Sequence, residues 1–238
     1  VLKPWQIDQL RLVRAATTEA QTFAAVLQDV QSMGFEFASF GMKAPIPLVA
    51  PRVAWCSNYP PAWQKIYEER GYLQRDPSVG HALHHDHGVL WSDELFEHAM
   101  DIRQAAAEFG ICHGWAQPRR DARGMVSLLT VSRSQGAITE AEMALKSPRI
   151  QWLSHLCHEG MQKVWSDALY GGPQITLSER ELDVLRWSGE GKTSADIAQI
   201  MGISEATVNF HTRNACHKLG SVNKTAAAVR AALLGLLN

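Results

Sequence analysis

Aromatic, hydroxyl and carboxyl side chains are concentrated between residues 57 and 93 of the sequence. Trp63 and Tyr67 are four residues apart, so a helix places both rings on one face. Asp76 follows them, and a carboxyl group beside apolar walls needs a hydrogen-bond donor. Aromatic walls with a few orienting polar groups are typical of a small-molecule pocket. The same spacing is also typical of an ordinary hydrophobic core, and the residues alone leave both interpretations open.

A second informative stretch covers residues 176–238, where caps and turns delimit four short helices. Ser178 with Glu181 forms a capping box before the first helix. Gly202 provides the turn between the second and third helices, and Ser204 caps the third. This order of elements predicts a helix-turn-helix, which places one helix in a DNA groove. A helical bundle without a DNA role is the alternative.

The third of these helices has one face for packing and one for contact. Its packing stripe consists of Val208, His211, Ala215 and Leu219. We predict base-edge contacts from the side chains of Thr207, Asn209 and Arg213. Phosphate contacts are predicted from Lys192, Thr193, Lys218 and Lys224.

Helices and strands alternate in the first two thirds of the chain. Helical spacing is predicted for residues 5–33, 93–109 and 139–165, with Thr139 capping the last of these. Strands are predicted for residues 35–42, 53–57, 110–118 and 125–131. The pattern predicts an α+β protein whose N-terminal domain is an α/β/α sandwich with a mostly antiparallel sheet, followed by an all-α four-helix helix-turn-helix domain. The predicted boundaries are 1–168 for the first domain, 169–175 for a linker at Gly171, Gly172 and Pro173, and 176–238 for the second.

Composition excludes several classes of protein. The 238 residues are 46% apolar and 20% charged with a net charge of -1, as is usual for a soluble globular protein. Neither a membrane span nor a signal peptide is apparent, so a cytoplasmic location is expected. A hydrolase would need a nucleophile with a base or a metal, and the spacing of Ser, His and Asp presents neither, so no catalytic residue is predicted. No metal site or cofactor is predicted either, and His81, His84, His85 and His87 are interpreted as surface residues.

The second domain resembles the DNA-binding domain of the LuxR family of bacterial transcription regulators. The resemblance rests on Thr176-Leu177-Ser178-Glu179-Arg180-Glu181, Gly191-Lys192-Thr193, Gly202-Ile203-Ser204 and Lys218-Leu219-Gly220. The first domain resembles the autoinducer-binding domain of the quorum-sensing branch of this family, in Trp63, Tyr67, Asp76-Pro77, Trp91-Ser92-Asp93, Gly110, Gly114 and Pro118. Members of that branch bind N-acyl-homoserine lactones.

The resemblance implies a role for each candidate ligand residue. Trp63 is expected to donate to the lactone carbonyl, and Asp76 to accept the amide N–H of the ligand. Tyr59 and Ser39 are expected to reach the amide carbonyl. The remaining candidates are Tyr67 and Trp91 as walls of the lactone site, Thr130 as a further hydroxyl, and Trp115 at the acyl end. Thr130 has an equal alternative as an ordinary sheet threonine.

The implied mechanism is allosteric. Binding of N-acyl-homoserine lactone orders the first domain and favours a homodimer, which presents two third helices to a palindromic DNA operator. RNA polymerase is a further expected partner, and no membrane is involved. The principal alternative is a regulator of the same family that responds to a different small molecule, such as a plant or host compound.

Overall fold

The computed structural model of the chain describes residues 2–170 and 175–237, without the side chains of Asp167 and Tyr170. The predicted linker residues Gly171, Gly172 and Pro173 lie outside the described residues. The chain forms two compact units. The first comprises Val1–Lys43, Val53–Arg120 and Val126–Leu169, and the second comprises Ala44–Arg52, Asp121–Met125 and Tyr170–Asn238.

A five-stranded antiparallel sheet forms the centre of the first unit. Its strands are β1 (Phe37–Lys43), β2 (Val53–Ser57), β3 (Val89–Leu90), β4 (His113–Arg120) and β5 (Val126–Arg133). They lie in the order β2-β1-β5-β4-β3, and each neighbouring pair is antiparallel. The predicted antiparallel sheet is therefore confirmed. Strand β1 alternates between buried and half-buried residues, since its two sides face different surroundings.

Helices cover both faces of this sheet. They are α1 (Pro4–Ala15), α2 (Glu19–Ser32), α3 (Pro61–Glu69), α4 (Pro77–His84), α5 (Met100–Ala107), α6 (Glu140–Val164) and α7 (Ser166–Tyr170). Helices α2 and α6 pack on one face, where Phe40, Leu129 and Ile150 are fully buried. Helix α4 packs against β4 and β5, and α3 and α5 meet in a second apolar cluster around Trp63, Tyr72 and Ile102. The arrangement confirms the predicted α/β/α sandwich.

The second unit contains the four predicted helices of the C-terminal stretch. They are α8 (Glu179–Gly189), α9 (Ser194–Met201), α10 (Glu205–Leu219) and α11 (Lys224–Leu233). Ser178 and Glu181 form the predicted capping box at α8, and Thr193 with Asp196 forms another at α9. Gly202 ends α9 in the left-handed region with φ of 63°, which glycine adopts without steric cost. Val184, Ile197 and Val208 form the small core between α8, α9 and α10.

Some elements of the first unit differ from those predicted from sequence. The single helical stretch predicted for residues 5–33 is divided after Ala15, because Ala16 is extended and Thr18 caps a new helix through Gln21 N. The helix predicted for 93–109 is limited to α5. Helix α4 and the two-residue strand β3 were not predicted. Among the described residues, every helix is too short or too polar to cross a membrane.

Candidate functional site

The first unit contains a cavity of about 140 Å³ between the sheet and helices α3, α4 and α5. Most of its wall is apolar, including Val79, Ala82 and Leu83 of α4. Seven of the eight candidate ligand residues line this cavity: Ser39, Tyr59, Trp63, Tyr67, Asp76, Trp91 and Thr130. Segments far apart in the chain thus line one cavity, in which a few polar side chains lie beside a mostly apolar wall.

Strand register explains which sheet residues face the cavity. Ser39 pairs with Ser57 on one side and with Thr130 on the other, so the three hydroxyls lie on the same face of three adjacent strands. Thr130 in turn pairs with Ala116 of β4. The cavity face therefore carries residues with small side chains at its centre, which leaves space for a ligand.

Trp115 does not line the cavity, contrary to the sequence prediction. It pairs with Val131, and Val131 lies on the opposite face of the sheet from Thr130, since alternate strand residues point to opposite sides. The Trp115 indole N–H donates to Oε1 of Gln117 at 3.3 Å. A Cβ at Gly88 would lie 2.2 Å from the Trp115 ring, so Gly88 provides the space for this indole outside the cavity.

Asp76 has a fixed position at the start of α4. It caps the helix, with Oδ1 accepting the backbone N–H of Ser78 at 2.8 Å and the Ser78 hydroxyl at 2.6 Å. The Tyr67 hydroxyl donates to Oδ2 at 2.8 Å. Burial, and then the nearby Asp76 charge, raise the pKa of Tyr67, so this hydroxyl remains a donor. The carboxylate is thereby oriented before any ligand arrives.

Aromatic rings form the wall beside Asp76. Trp63, which is 3% exposed, has its ring centroid 5.7 Å from that of Tyr67 and 5.9 Å from that of Tyr72. Tyr59 packs against Phe37 with centroids 5.9 Å apart. Burial raises the pKa of Tyr59, which keeps its hydroxyl protonated as a donor. Rings at these distances and tilts hold one another in place.

Trp91 packs flat against the backbone of β4. A Cβ on Gly114 would lie 2.5 Å from the Trp91 ring, so only glycine permits this approach. Trp91 also contacts Phe96, with ring centroids 5.6 Å apart. The indole nitrogen of Trp91 is buried and has no hydrogen-bond partner among the described residues.

Sequence reasoning missed other residues of the cavity wall. Trp55, Ser78 and Phe96 line it but were not predicted as site residues. Trp55 lies opposite Gly41 of β1, so the two residues are on the same face of the sheet. The alternation of faces along β2 was the sequence signal that could have placed Trp55 in the cavity wall. Ser78 directly follows Asp76-Pro77, and an Asp cap with proline at the first helical position is a recognisable helix start.

In the second unit, α10 presents an exposed stripe that includes two of the predicted base-edge residues. Asn209 and Arg213 are exposed and four residues apart, while Val208 and Ala215 on the other side are fully buried. Ser194 donates to Oδ1 of Asn209 at 2.9 Å, and the two N–H donors of this amide take no part in that bond. Thr207 is only half-exposed, and its hydroxyl lies 2.8 Å from that of Ser204.

Lys192, Thr193 and Lys224 lie together at the start of α9. Lys224 Nζ donates to the carbonyl of Lys192 at 2.8 Å, and Thr193 caps the helix. The Thr193 hydrogen bonds, followed by weaker effects of both lysines, lower the pKa of Asp196. A helix N-terminus with two lysines is suited to bind a phosphate group.

Lys218 forms an ion pair within the second unit, and its phosphate contact stays a prediction. Its Nζ lies 2.8 Å from Oε2 of Glu181, a carboxylate whose side chain is only 5% exposed. The same Glu181 accepts the backbone N–H of Ser178 in the capping box. Lys218 therefore neutralises a buried charge and links α10 to α8.

Phe210 is an exposed apolar residue of α10 that was not predicted from the sequence as a contact residue. Its ring is 53% exposed and lies next to Asn209 on the exposed side of the helix. Among the described residues this ring belongs to neither apolar cluster of the unit, although it contacts His211 with ring centroids 5.4 Å apart. Apolar side chains on a reading helix can contact thymine methyl groups.

Three histidines in the last turns of α4 and just after it have their rings close together. His81, His85 and His87 have centroids 4.5 to 5.1 Å apart. No group of three or more His, Cys, Asp or Glu in the described ranges is arranged to hold a metal ion.

Two domain families match the sequence along these two units. The family described as "Autoinducer binding domain" matches residues 18–161, and the family described as "Bacterial regulatory proteins, luxR family" matches residues 175–231. The chain belongs to the LuxR family. It is 36% identical over 238 residues to the transcriptional activator protein AnoR of Acinetobacter nosocomialis, with 99% of this chain and 100% of AnoR covered.

The fold agrees with solved structures of another LuxR-family protein. The regulatory protein SdiA of Escherichia coli strain K12 is 33% identical to this chain over 239 residues, covering 98% of the chain and 97% of SdiA. A crystal structure of Escherichia coli SdiA superposes with a TM-score of 0.85 at 30% identity, covering 98% of each chain. SdiA in complex with octanoyl-rac-glycerol superposes with a TM-score of 0.84 at 30% identity, covering 98% of this chain and 96% of that one.

Membership of the LuxR family establishes the general activity. The protein is a transcription regulator with an autoinducer-binding domain and a helix-turn-helix DNA-binding domain, and it is not an enzyme. The prediction of a non-enzymatic quorum-sensing regulator is therefore confirmed. The cavity, with Asp76 at one end, is the candidate site of the autoinducer.

Proposed function

We propose that this LuxR-family protein binds an N-acyl-homoserine lactone and then binds a palindromic DNA operator as a homodimer. The observation that carries the proposal is the oriented Asp76 carboxylate beside Trp63 in an otherwise apolar cavity. An amide N–H needs an acceptor and a lactone carbonyl needs a donor, and these two side chains provide one of each. The apolar wall is suited to an acyl chain.

The direction of α4 orients the ligand in the cavity. The helix begins at the Asp76 cap, and Val79, Ala82 and Leu83 continue the cavity wall away from it. The homoserine lactone lies between Trp63, Tyr67 and Trp91 in this arrangement, and the acyl chain extends along α4. Tyr59 and Ser39 reach the amide carbonyl, and Thr130 provides a hydroxyl beside Ser39.

Contacts with DNA are assigned to the second unit. Asn209 and Arg213 contact base edges with Thr207 beside them, and Lys192, Thr193 and Lys224 contact phosphates. A homodimer presents two copies of α10 to half-sites separated by about one helical turn or a multiple of it. The division into residues 1–168, a linker at 169–175 and residues 176–238 separates ligand binding from DNA binding. The protein acts in the cytoplasm, with RNA polymerase as a further partner.

Ligand identification tests this proposal directly. The full-length chain is produced in cells supplied with a mixed set of N-acyl-homoserine lactones, and the copurified ligand is identified by mass spectrometry. Operator binding is then measured with and without the identified ligand. Equal binding of operator in both conditions, or no copurified lactone, contradicts the proposal.

A second candidate ligand class is an acyl compound without the lactone. The complex of SdiA with octanoyl-rac-glycerol favours it, because that ligand of a relative is an acyl ester without an amide. Detection of an acyl glycerol or a host compound, in place of a lactone, in the copurification experiment selects this alternative.

A further inference from the structure

Ser78 is a buried residue of α4 that is not among the ligand contacts proposed above. Its side chain is 2% exposed and lies at the cavity wall next to Asp76. The backbone N–H of Ser78 completes the cap of the helix. The hydroxyl makes a second and shorter bond of 2.6 Å to the same Oδ1, and a helix cap by itself does not require this second bond.

Hydrogen-bond capacity shows what this second bond does. A carboxylate has about four acceptor positions, two on each oxygen. The two Ser78 donors fill both positions of Oδ1, and Tyr67 fills one position of Oδ2. Among the described residues no further donor reaches Asp76, so one acceptor position remains, and it belongs to Oδ2.

The arrangement also restricts rotation of the carboxylate. Rotation of the carboxylate plane about the Cβ–Cγ bond would break all three hydrogen bonds together. Without the Ser78 hydroxyl, two donors hold the carboxylate plane and Oδ1 has a vacant acceptor position, so the ligand N–H can be shared between the two oxygens. Hydrogen bonds to a charged acceptor lose strength when geometry is relaxed.

We propose that Ser78 is a positioning residue that reserves Oδ2 of Asp76 for the amide N–H of the ligand. The inference rests on the proposed function, because it presumes an amide in the cavity. In this role the Ser78 hydroxyl favours an amide ligand over an ester, and it does so by holding Asp76 in position. Ligands with an N–H next to the lactone are selected, and isosteric esters, which present an oxygen acceptor to the carboxylate, are disfavoured.

A pair of matched ligands tests the inference on the full-length chain. The probes are N-octanoyl-homoserine lactone and the ester in which oxygen replaces its amide N–H, with affinity measured by equilibrium titration. The wild-type protein is expected to favour the amide. Ser78→Ala is expected to weaken amide binding by about tenfold and to leave ester binding unchanged. Ser78→Thr retains the hydroxyl and is expected to restore the preference.

A second buried serine provides the control for a purely structural effect. Ser154 is 1% exposed, and its hydroxyl donates to the carbonyl of Gln117, away from Asp76. Ser154→Ala is expected to lower the thermal midpoint without changing the ratio of the two affinities. The inference alone is overturned if Ser78→Ala keeps the amide preference or weakens both ligands equally. If the wild-type chain binds neither probe, the proposed function fails and the inference fails with it.

Discussion

Tyr67 donates its hydroxyl hydrogen to Oδ2 of Asp76 at 2.8 Å, and the two residues are nine positions apart on different elements. Tyr67 is on α3, whereas Asp76 caps α4. The bond therefore joins an aromatic wall to the carboxylate that we assign to the ligand amide. A tyrosine that serves Asp76 in this way positions the acid rather than donating to the ligand itself.

Replacing Tyr67 by phenylalanine tests that role. The Tyr67→Phe ring retains its contact with Trp63, but Asp76 loses one of its three donors. We expect affinity for an acyl-homoserine lactone to fall by roughly 1 kcal/mol, about fivefold, as measured by titration calorimetry. Tyr72→Phe is the matched control, because the Tyr72 hydroxyl accepts from Arg70 and not from a cavity residue. Equal losses in both variants contradict the assignment.

Trp63→Phe separates the indole N–H from the packing of the ring. The phenylalanine ring maintains most of the contact with Tyr72, so far-ultraviolet circular dichroism should be unchanged. The lactone carbonyl loses its donor, and the ligand concentration for half-maximal reporter activity should rise about tenfold. An unchanged dose response shows that the donor to the lactone is a different group.

Gly114→Ala should reduce the cavity through Trp91. The added Cβ meets the indole ring at 2.5 Å, so the ring must move from its place against β4. We expect ligand affinity to fall at least tenfold, with a loss of stability of about 1–3 kcal/mol. Gly80→Ala is the control, since nothing lies within 4 Å of a Cβ added there. Its ligand affinity should match that of the wild-type protein.

Lysines of the second unit should differ in the salt dependence of operator binding. Lys192→Gln removes a phosphate contact and should lower the slope of log affinity against log salt by about 0.9. Lys218→Gln should keep the slope, because Lys218 already pairs with Glu181. It should instead destabilise the unit by about 1–3 kcal/mol, since a buried carboxylate loses its partner. If Lys218→Gln also lowers the slope of log affinity against log salt, Lys218 contacts a phosphate despite its ion pair with Glu181.

Base reading should depend on the exposed stripe of α10. Arg213→Ala should weaken binding to the operator and reduce its preference over unrelated DNA, at a cost of about 1–3 kcal/mol for one base contact. Ligand affinity should not change, because Arg213 is outside the ligand-binding unit. A competition assay with operator and scrambled duplexes measures both quantities. Equal losses on both duplexes indicate a phosphate contact instead.

Acid should weaken the first unit through Glu142. Its hydrogen bonds from Arg133, and then from Lys146, lower its pKa from 4.5 to about 2. A depressed pKa in the folded state means that the stabilisation is complete above pH 4.5 and is lost as the pH falls towards 2. Glu142→Gln should remove this part of the pH dependence in urea unfolding. Glu140→Gln, at an exposed position of the same helical turn, should retain it.

Local signals in the sequence were sufficient for most elements. Thr139 with Glu142 predicted the start of α6, and Ser178 with Glu181 predicted the start of α8. These caps require only residues within one turn of one another, so no knowledge of the fold is needed. The division after Ala15 was missed, because apolar spacing continues through residues 5–33 and Thr18 acts as an unrecognised cap.

Some candidate side chains could be placed at the site from the sequence, and others could not. Trp63 and Tyr67 share a helix face by spacing alone, and Asp76 follows them as a carboxyl group that needs a donor. The resemblance to LuxR-family regulators then favoured a pocket over an ordinary core. Trp115 could not be placed, because alternation defines two faces of a strand but not which face meets a cavity. That choice depends on the pairing of β4 with β5 and on the helices that cover each side.

The sequence by itself determined the helix caps, the two kinds of domain and the family, since these depend on neighbouring residues and on motifs. Only the tertiary structure decided that Lys218 pairs with Glu181, 37 positions earlier, and that Tyr67 of α3 donates to Oδ2 of Asp76. Both outcomes depend on distances of a few ångströms between segments that fold against each other. Hydrogen-bond capacity can be counted only when every donor near a group is known.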